Sequence, residues 1–198
     1  MLTPSLEHSL HRALHIAKEL WHEYAGLEHL LLSLTEDKDA ALALKACNID
    51  LARLRLDLNN FLENELTDLV IPNLEEAKPT AGFQRVVHRA AVGAQASGRK
   101  EVSGINILIE LFSEKDAHAV YYLQAQGLTR LDIVNFSSHG IVKLPGRIGS
   151  DTVIQAISAS QQKHKQQQAE AKPKEEEKPS EAITQYCVNL NKRAEEGK

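Results

Sequence analysis

The sequence lacks several features that would point to particular classes of protein. Only two cysteines, Cys47 and Cys187, occur in 198 residues, and their wide separation argues against a disulfide framework and fits a reducing compartment. Lys and Arg number 23 against 27 Asp and Glu, so no excess of positive charge favours nucleic acid or an anionic membrane. No apolar run approaches the roughly 18–20 residues of a membrane span, and no basic segment followed by an apolar one opens the chain. We therefore predict neither a transmembrane helix nor an export signal.

Sequence motifs for catalysis are missing as well. No G-x-x-x-x-G-K-[ST] phosphate-binding loop occurs, and the nearest glycine pair, Gly146 and Gly149, has no lysine behind it. No G-x-S-x-G nucleophile elbow is present, and neither cysteine stands in a reactive motif. Cys47 is instead expected to be a small core residue. The sequence therefore predicts that this chain is not an enzyme.

What the sequence does contain is helical periodicity over its first 140 residues. Thr3 followed by Pro4 predicts the start of a first helix. Its predicted buried stripe consists of Leu6, Leu10, Leu14, Ala17 and Trp21. We expect an apolar helix over 27–34 in the centre of the core, a third helix over 39–46, and a fourth capped by Asp50. Because no segment shows a convincing strand-like alternation, the predicted fold is all-α.

The sequence also matches itself when it is shifted by 77 positions. The matched groups include His11-Arg12-Ala13 with His88-Arg89-Ala90, Leu31 and Leu34 with Leu108 and Leu111, and Lys38-Asp39-Ala40 with Lys115-Asp116-Ala117. Two extra residues in the second copy are placed after the last of these matches. We predict a tandem repeat of two four-helix motifs, at about 1–65 and about 80–140, whose apolar faces bury each other.

Composition changes sharply near residue 140. A Gln/Lys-rich run over 161–168 and a Lys/Glu/Pro-rich run over 171–179 cannot bury enough apolar surface to offset their ordering entropy. We predict a double-repeat domain over 1–142 and a disordered linker over 143–180. A helical pattern with Cys187 on its apolar stripe returns over 181–198, where we expect an amphipathic helix that begins a further module.

The run Leu27-Glu28-His29-Leu30-Leu31-Leu32-Ser33-Leu34, set in a duplicated four-helix motif, resembles the Clp N-terminal repeat domain of the AAA+ unfoldases. Within that family the sequence is most similar to the ClpA group. The residues that carry this similarity are His22-Glu23-Tyr24, Ser97-Gly98-Arg99-Lys100-Glu101-Val102, Phe112-Ser113-Glu114, Leu131-Asp132-Ile133-Val134-Asn135-Phe136 and Ser138-His139-Gly140. Residues 182–198 are similar to the segment that enters the first ATPase module of that group.

The resemblance implies a non-catalytic docking domain in the bacterial cytoplasm. It implies that the chain recruits the adaptor ClpS and N-degron substrates for degradation with the peptidase ClpP. ATP binding, unfolding, contact with ClpP and hexamer formation are then functions of ATPase modules that follow in the family, so we expect this chain to be monomeric.

The resemblance also implies individual site residues. Positions matching Glu23, Glu28 and Thr80 contact the adaptor in the family, although Glu28 equally suits the first turn of a helix and Thr80 equally suits an N-cap. A surface zinc site is implied at His22, with a carboxylate such as Glu63. Gly26 stands where the family has a capping threonine, a change that costs only a few tenths of a kcal/mol.

Three alternatives remain open on the sequence. An exposed apolar groove between the repeats would bind unfolded polypeptide directly. His8, His11, His15 and His22 share one predicted face of the first helix and would bind a metal or sense pH, although surface histidines are ordinarily just solvated. A ClpC-type domain would use different adaptors.

Overall fold

The computed structural model describes residues 1–143, and these form an all-α fold, as predicted. The helices are α1 Pro4–Glu19, α2 Leu27–Leu34, α3 Lys38–Ala46, α4 Leu51–Asn64, α5 Ala81–Ala96, α6 Gly104–Leu111, α7 His118–Ala125 and α8 Arg130–His139. Two strands of two residues, β1 Tyr24–Ala25 and β2 Lys78–Pro79, and a 3-10 turn at Thr67–Leu69 complete the described elements. Of the predicted linker, only Lys143 falls within the described residues, and the predicted terminal helix with Cys187 lies outside them. None of the described helices has the length and apolarity to cross a bilayer.

Local N-caps explain where several helices begin. Thr3 Oγ1 accepts the backbone N–H of Leu6 at 3.3 Å, and Thr80 Oγ1 accepts that of Phe83 at 3.2 Å. Asp50 caps α4, so these three predicted caps are confirmed. α3 begins one residue earlier than predicted, because Asp37 supplies the carboxylate that caps it.

The cap positions show how the two repeats correspond. The first two helices of each repeat keep one spacing: the N-caps of α1 and α5 are 77 residues apart, and so are those of α2 and α6. The spacing then grows to 80 residues between the N-caps of α3 and α7, and it is 79 between those of α4 and α8. The extra residues therefore lie in the turn before α7, not after the Lys-Asp-Ala match. Lys38 opens α3, but Lys115 precedes the N-cap Ala117, so the predicted match of these two triplets was wrong.

The repeats exchange their third helices. α3 of repeat one packs against α6 and α8 of repeat two, and α7 of repeat two packs against α2 and α4 of repeat one. The predicted central position of α2 is confirmed, since Leu30, Leu31 and Leu34 are completely buried, as are Leu108 and Leu111 of α6. Neither repeat completes its core alone.

Two short parallel pairings join the repeats at the entrances of their helices. Leu2 pairs with Val102 ahead of α1 and α6, and β1 pairs with β2 ahead of α2 and α5. The N–H of Thr3 donates to Val102 O at 2.9 Å, and the equivalent N–H of Thr80 donates to Ala25 O at 3.0 Å. These strands were not predicted, because two residues are too few to show an alternating pattern.

The end of α1 corrects the predicted buried stripe. Leu6 and Ala17 are completely buried, but Trp21 is 46% exposed. The helix stops at Glu19, and Trp21 takes the left-handed conformation with φ 60°, which turns its side chain away from the helical stripe. Cys47 is buried as predicted, and this burial raises the pKa of its thiol to about 11.

Candidate functional site

The β1–β2 pair positions Glu23 and Thr80 on adjacent stretches of chain. The N–H of Lys78 donates to Glu23 O at 2.9 Å, and Thr80 follows β2 with its own N–H bonded to Ala25 O. Glu23 is also tied on its other side, because its N–H donates to Leu69 O at 2.9 Å. Both side chains are half-buried on a backbone that is fixed by these hydrogen bonds.

Glu28 has a structural role that the sequence did not reveal. Its Oε1 accepts the N–H of Ala119 at 3.2 Å, across 91 residues. Ala119 lies in the first turn of α7, whose N-cap, Ala117, has no side-chain oxygen. Glu28 of repeat one therefore supplies an oxygen to the start of a helix in repeat two. Gly26 fits this arrangement, because a Cβ there would lie 2.9 Å from Glu28 Oε2.

The three residues implied as an adaptor site therefore lie around one structural junction. Glu23 directly precedes β1, Thr80 directly follows β2, and Glu28 lies in the first turn of α2, three residues after β1 ends. We call the surface formed by Glu23, Glu28 and Thr80 the β-junction surface. Its role in adaptor binding stays a prediction, and one oxygen of Glu28 is already bonded within the domain.

An apolar cluster that the sequence analysis missed adjoins Glu23. Trp21, Val70 and Ile71 are 46%, 45% and 40% exposed. The N–H of Ile71 donates to Trp21 O at 2.8 Å, and His22 forms an antiparallel bridge with Val70. We call Trp21, Val70 and Ile71 the Trp21 patch. Val70 and Ile71 are adjacent apolar residues in an otherwise polar segment between the repeats, and this pair is the sequence signal that would have indicated the patch.

His22 does not share the solvent face of the other α1 histidines. His8, His11 and His15 are exposed, whereas His22 is 2% exposed and its Nδ1 lies 3.0 Å from Nε2 of the buried His29. The predicted four-histidine face was therefore wrong about His22, because the turn after α1 directs that side chain inward.

The hydrogen bonds of this pair assign its protons. The N–H of Gly26 donates to His29 Nδ1 at 3.0 Å, so His29 carries its proton on Nε2 and donates it to His22 Nδ1. Burial lowers the pKa of His22, and burial together with the neighbouring His22 lowers that of His29 to about 3. Both rings are therefore neutral at physiological pH.

The surroundings of His22 differ from those expected of a surface zinc site. His22 is not at the surface, and its Nδ1 is occupied by His29, while Glu63 is exposed on α4. Residues 1–143 contain no group of three or more His, Cys, Asp or Glu side chains arranged to hold a metal ion. Metal binding through His22 and Glu63 stays a prediction, but its surface location at His22 was wrong.

The chain is similar in sequence and in fold to known proteins. Residues 1–126 match the family model described as the Clp repeat (R) N-terminal domain. A curated protein named "ClpA homolog protein" from Fuscovulum blasticum is 43% identical over 194 residues, which are 98% of this chain and 24% of that relative. The chain thus spans about a quarter of the relative's length.

Solved structures extend the likeness of the fold. The Hsp104 N-terminal domain from Candida albicans aligns with a TM-score of 0.58 and 16% identity, over 67% of this chain and 85% of that one. A ClpV N-domain in complex with a VipB peptide aligns with a TM-score of 0.56 and 16% identity, over 70% and 84% of the two chains. At such identities the likeness concerns the fold alone.

Proposed function

Because the chain belongs to the Clp repeat N-terminal domain family, we propose that it is a non-catalytic docking domain for adaptors and substrates of a ClpA-type ATPase. The adaptor in this proposal is ClpS, which presents N-degron substrates for degradation with ClpP. ATP hydrolysis and contact with ClpP are assigned to other modules of such a protein. The peptide bound to the ClpV N-domain supports a docking role for this fold.

The observation that carries the proposal is the convergence of Glu23, Glu28 and Thr80 around β1 and β2. The two carboxylates are held on rigid backbone at a half-buried surface, where charge complementarity sets specificity and association rate more than affinity. The neighbouring Trp21 patch adds apolar area beside them, and an apolar centre with a polar rim is the usual anatomy of a protein interface.

Calorimetric titration of the chain with ClpS tests this function. We expect 1:1 binding that Glu23→Gln combined with Glu28→Gln weakens tenfold or more, equivalent to about 1.4 kcal/mol. Glutamine at 28 keeps an oxygen for the Ala119 N–H, so the substitution removes charge without removing the bond that starts α7. Glu7→Gln, at an exposed glutamate of α1, is the matched control.

One result would contradict the proposed function, and another would contradict only the proposed surface. Absence of ClpS binding favours a ClpC-type domain with another adaptor. ClpS binding that the double variant leaves within twofold of the original affinity keeps the function and removes the β-junction surface from it.

Direct binding of unfolded polypeptide is the second candidate, and the exposed Trp21 patch is the observation that favours it. The apolar exposure lies in the segment between the repeats, at Val70 and Ile71, and at the end of α1. Binding of reduced, carboxymethylated α-lactalbumin, a permanently unfolded chain, should fall at least fivefold in a Trp21→Ser, Val70→Ser variant. Binding equal to that of the original chain contradicts this function.

A further inference from the structure

A pocket of about 280 Å³ lies in repeat two, among α5, α6 and α8. Its walls include Gly93 of α5, the C-cap Ser97 that follows α5, and Val134 and Ser137 of α8. α6 packs against both of these helices and contributes Ile109. The volume is near the lower end of the roughly 300–1,000 Å³ range of ligand sites, so it suits one or two side chains of a peptide.

Repeat one carries larger residues at the equivalent positions. Ile16 and Leu20 correspond to Gly93 and Ser97 through the shift of 77, and both pack against the core. Leu58 corresponds to Ser137 through the shift of 79 and is completely buried. The pocket therefore exists because small and polar residues replace bulky apolar ones in the second copy only.

Arg99 carries the positive charge at one end of the pocket. Arg99, in the turn after α5, donates to Ser137 Oγ at 2.9 Å and less closely to Ser137 O at 3.4 Å. Within residues 1–143 no carboxylate lies in salt-bridge range of Arg99, and its partner Ser137 is uncharged. At the other end Arg130 is paired with Glu110 at 3.4 Å. The pocket is therefore electrostatically polarised along its length.

The distance between the two ends of the pocket determines the length of peptide that it can hold. Arg130 and Ser137 are seven residues apart on α8, which corresponds to about 10 Å along a helix. Three residues of extended chain cover the same distance at about 3.3 Å each. Glu110 at the far end accepts the Arg130 guanidinium through Oε1 and the Ser113 hydroxyl through Oε2, and each carboxylate oxygen has a further lone pair for an N–H group.

We propose that this pocket binds a short extended segment of a protein partner that carries an Asp or Glu side chain. The carboxylate pairs with Arg99, a geometry in which guanidinium donors are especially favourable. A small apolar side chain of the segment lies against Ile109 and Val134. The site is separate from the β-junction surface and uses none of its residues, so it stands or falls independently of ClpS binding.

Titration of the ¹⁵N-labelled chain with acetyl-Ala-Val-Asp-amide, followed by NMR, tests the proposal. The amide signals of Gly93, Ser97 and Ser137 should shift and saturate, and the acetyl-Ala-Val-Asn-amide analogue should bind at least fivefold more weakly. Arg99→Gln should reduce binding of the aspartate peptide to that of the asparagine peptide. Lys100→Gln, at the exposed cation beside it, is the matched control and should leave both affinities unchanged.

A variant in which larger side chains fill the pocket provides a second test of the proposal. Gly93→Ile with Ser97→Leu imports the repeat-one residues, and binding should be lost. A Cβ at Gly93 meets only Glu110 Oε1 at 4.0 Å, so the added side chain enters the pocket without displacing backbone. Equal binding of the two peptides, or binding that survives the filling, overturns the proposal. Inorganic phosphate that shifts the same amides as tightly as the aspartate peptide reduces the site to a simple anion site and also overturns it.

Discussion

α3 and α7 occupy equivalent places in the two repeats, yet different parts of the chain supply the acceptors for the backbone N–H groups of their first turns. Asp37 caps α3 locally, with Oδ1 accepting the N–H groups of Asp39 at 3.0 Å and Ala40 at 2.9 Å. The N-cap of α7 is Ala117, and the oxygen comes instead from Glu28 of the other repeat. Equivalent helix starts can thus be stabilised by near or distant residues, and a carboxylate assigned to docking can also serve the fold.

This difference extends to the neighbouring helix starts. A Cβ at Gly104, the first residue of α6, would overlap Asp37 Oδ1 and lie 2.8 Å from Asp37 Cγ. The equivalent residue of α2 is Leu27, which stands near no such local cap. Glycine at 104 is therefore required by the way in which α3 is capped, a contact between repeats that no local pattern shows.

Removing the local cap should have the largest effect. Asp37 is 2% exposed, and its Oδ2 also accepts the hydroxyls of Ser5 at 2.6 Å and Ser9 at 3.3 Å. Asp37→Ala should lower the free energy of unfolding by about 2–4 kcal/mol, because it removes a cap and leaves buried donors without acceptors. Urea denaturation measures this loss. Asp50→Ala, at an exposed cap, should cost only about 1 kcal/mol, and equal losses would contradict the interpretation.

A side chain added at Gly104, the first residue of α6, should have the next largest effect on the free energy of unfolding. Gly104→Ala should cost about 1–3 kcal/mol through overpacking against Asp37. Gly93→Ala, in the open interior of α5, should instead raise the free energy of unfolding by roughly 0.5–1 kcal/mol. In an Asp37→Ala background the cost of Gly104→Ala should fall, and strictly additive costs would show that the two residues do not interact.

The His22–His29 pair should make the stability of the domain depend on pH between about 6.5 and 5, above the range in which carboxylates titrate. Because the folded pKa of His29 is about 3, below its usual value, protons bind preferentially to the unfolded chain as the pH falls. The stability contributed by neutral His29 is complete above about pH 6.5 and declines toward pH 3, by roughly 1–2 kcal/mol between pH 6.5 and 5. Urea midpoints across this range measure the slope.

Substitution of His29 by asparagine tests whether this residue causes the pH dependence. Asn106 is the repeat-two equivalent of His29, and its Oδ1 accepts the N–H of Ser103 at 3.0 Å, just as His29 accepts that of Gly26. His29→Asn should flatten the pH dependence even if it lowers stability overall. His8→Asn, at an exposed histidine of α1, should leave the slope unchanged, and an unchanged slope in His29→Asn would refute the assignment.

The smallest effect should come from the distant cap of α7. Glu28→Ala should lower the free energy of unfolding by about 1 kcal/mol, since one backbone N–H at the helix start loses its acceptor. Glu28→Gln should cost less than about half of that, because an amide oxygen still accepts the bond. Hydrogen exchange at Ala119 measures the same change locally, and equal exchange in the two variants would exclude a capping role.

Sequence patterns predicted the parts of this fold that depend on neighbouring residues. Thr3, Asp50 and Thr80 cap their helices through bonds to residues two or three positions away, and such bonds follow from local sequence. The buried α2 was predicted from its nearly continuous apolar run. Trp21 was misplaced because periodicity does not show where a helix stops, and the positive φ at that residue has no sequence signal.

The candidate site was predictable only in part for the same reason. The sequence named Glu23, Glu28 and Thr80 through a family resemblance, and the fold places all three around β1 and β2. The bond from Ala119 to Glu28 depends on packing between the two repeats, and the inward turn of His22 depends on its contact with the buried His29, seven residues along the chain. Nothing within a few residues of either position encodes them.

The exchange of α3 and α7 sets a lower limit on the size of a unit that can fold by itself. A single repeat alone would lack the partner helices on which its third helix packs, because α3 rests on α6 and α8, and α7 rests on α2 and α4. Two identical copies could satisfy each other by swapping that helix, as domain-swapped homodimers do. The smallest unit of this architecture that buries its own core is thus two repeats, held either in one chain or in a symmetric dimer.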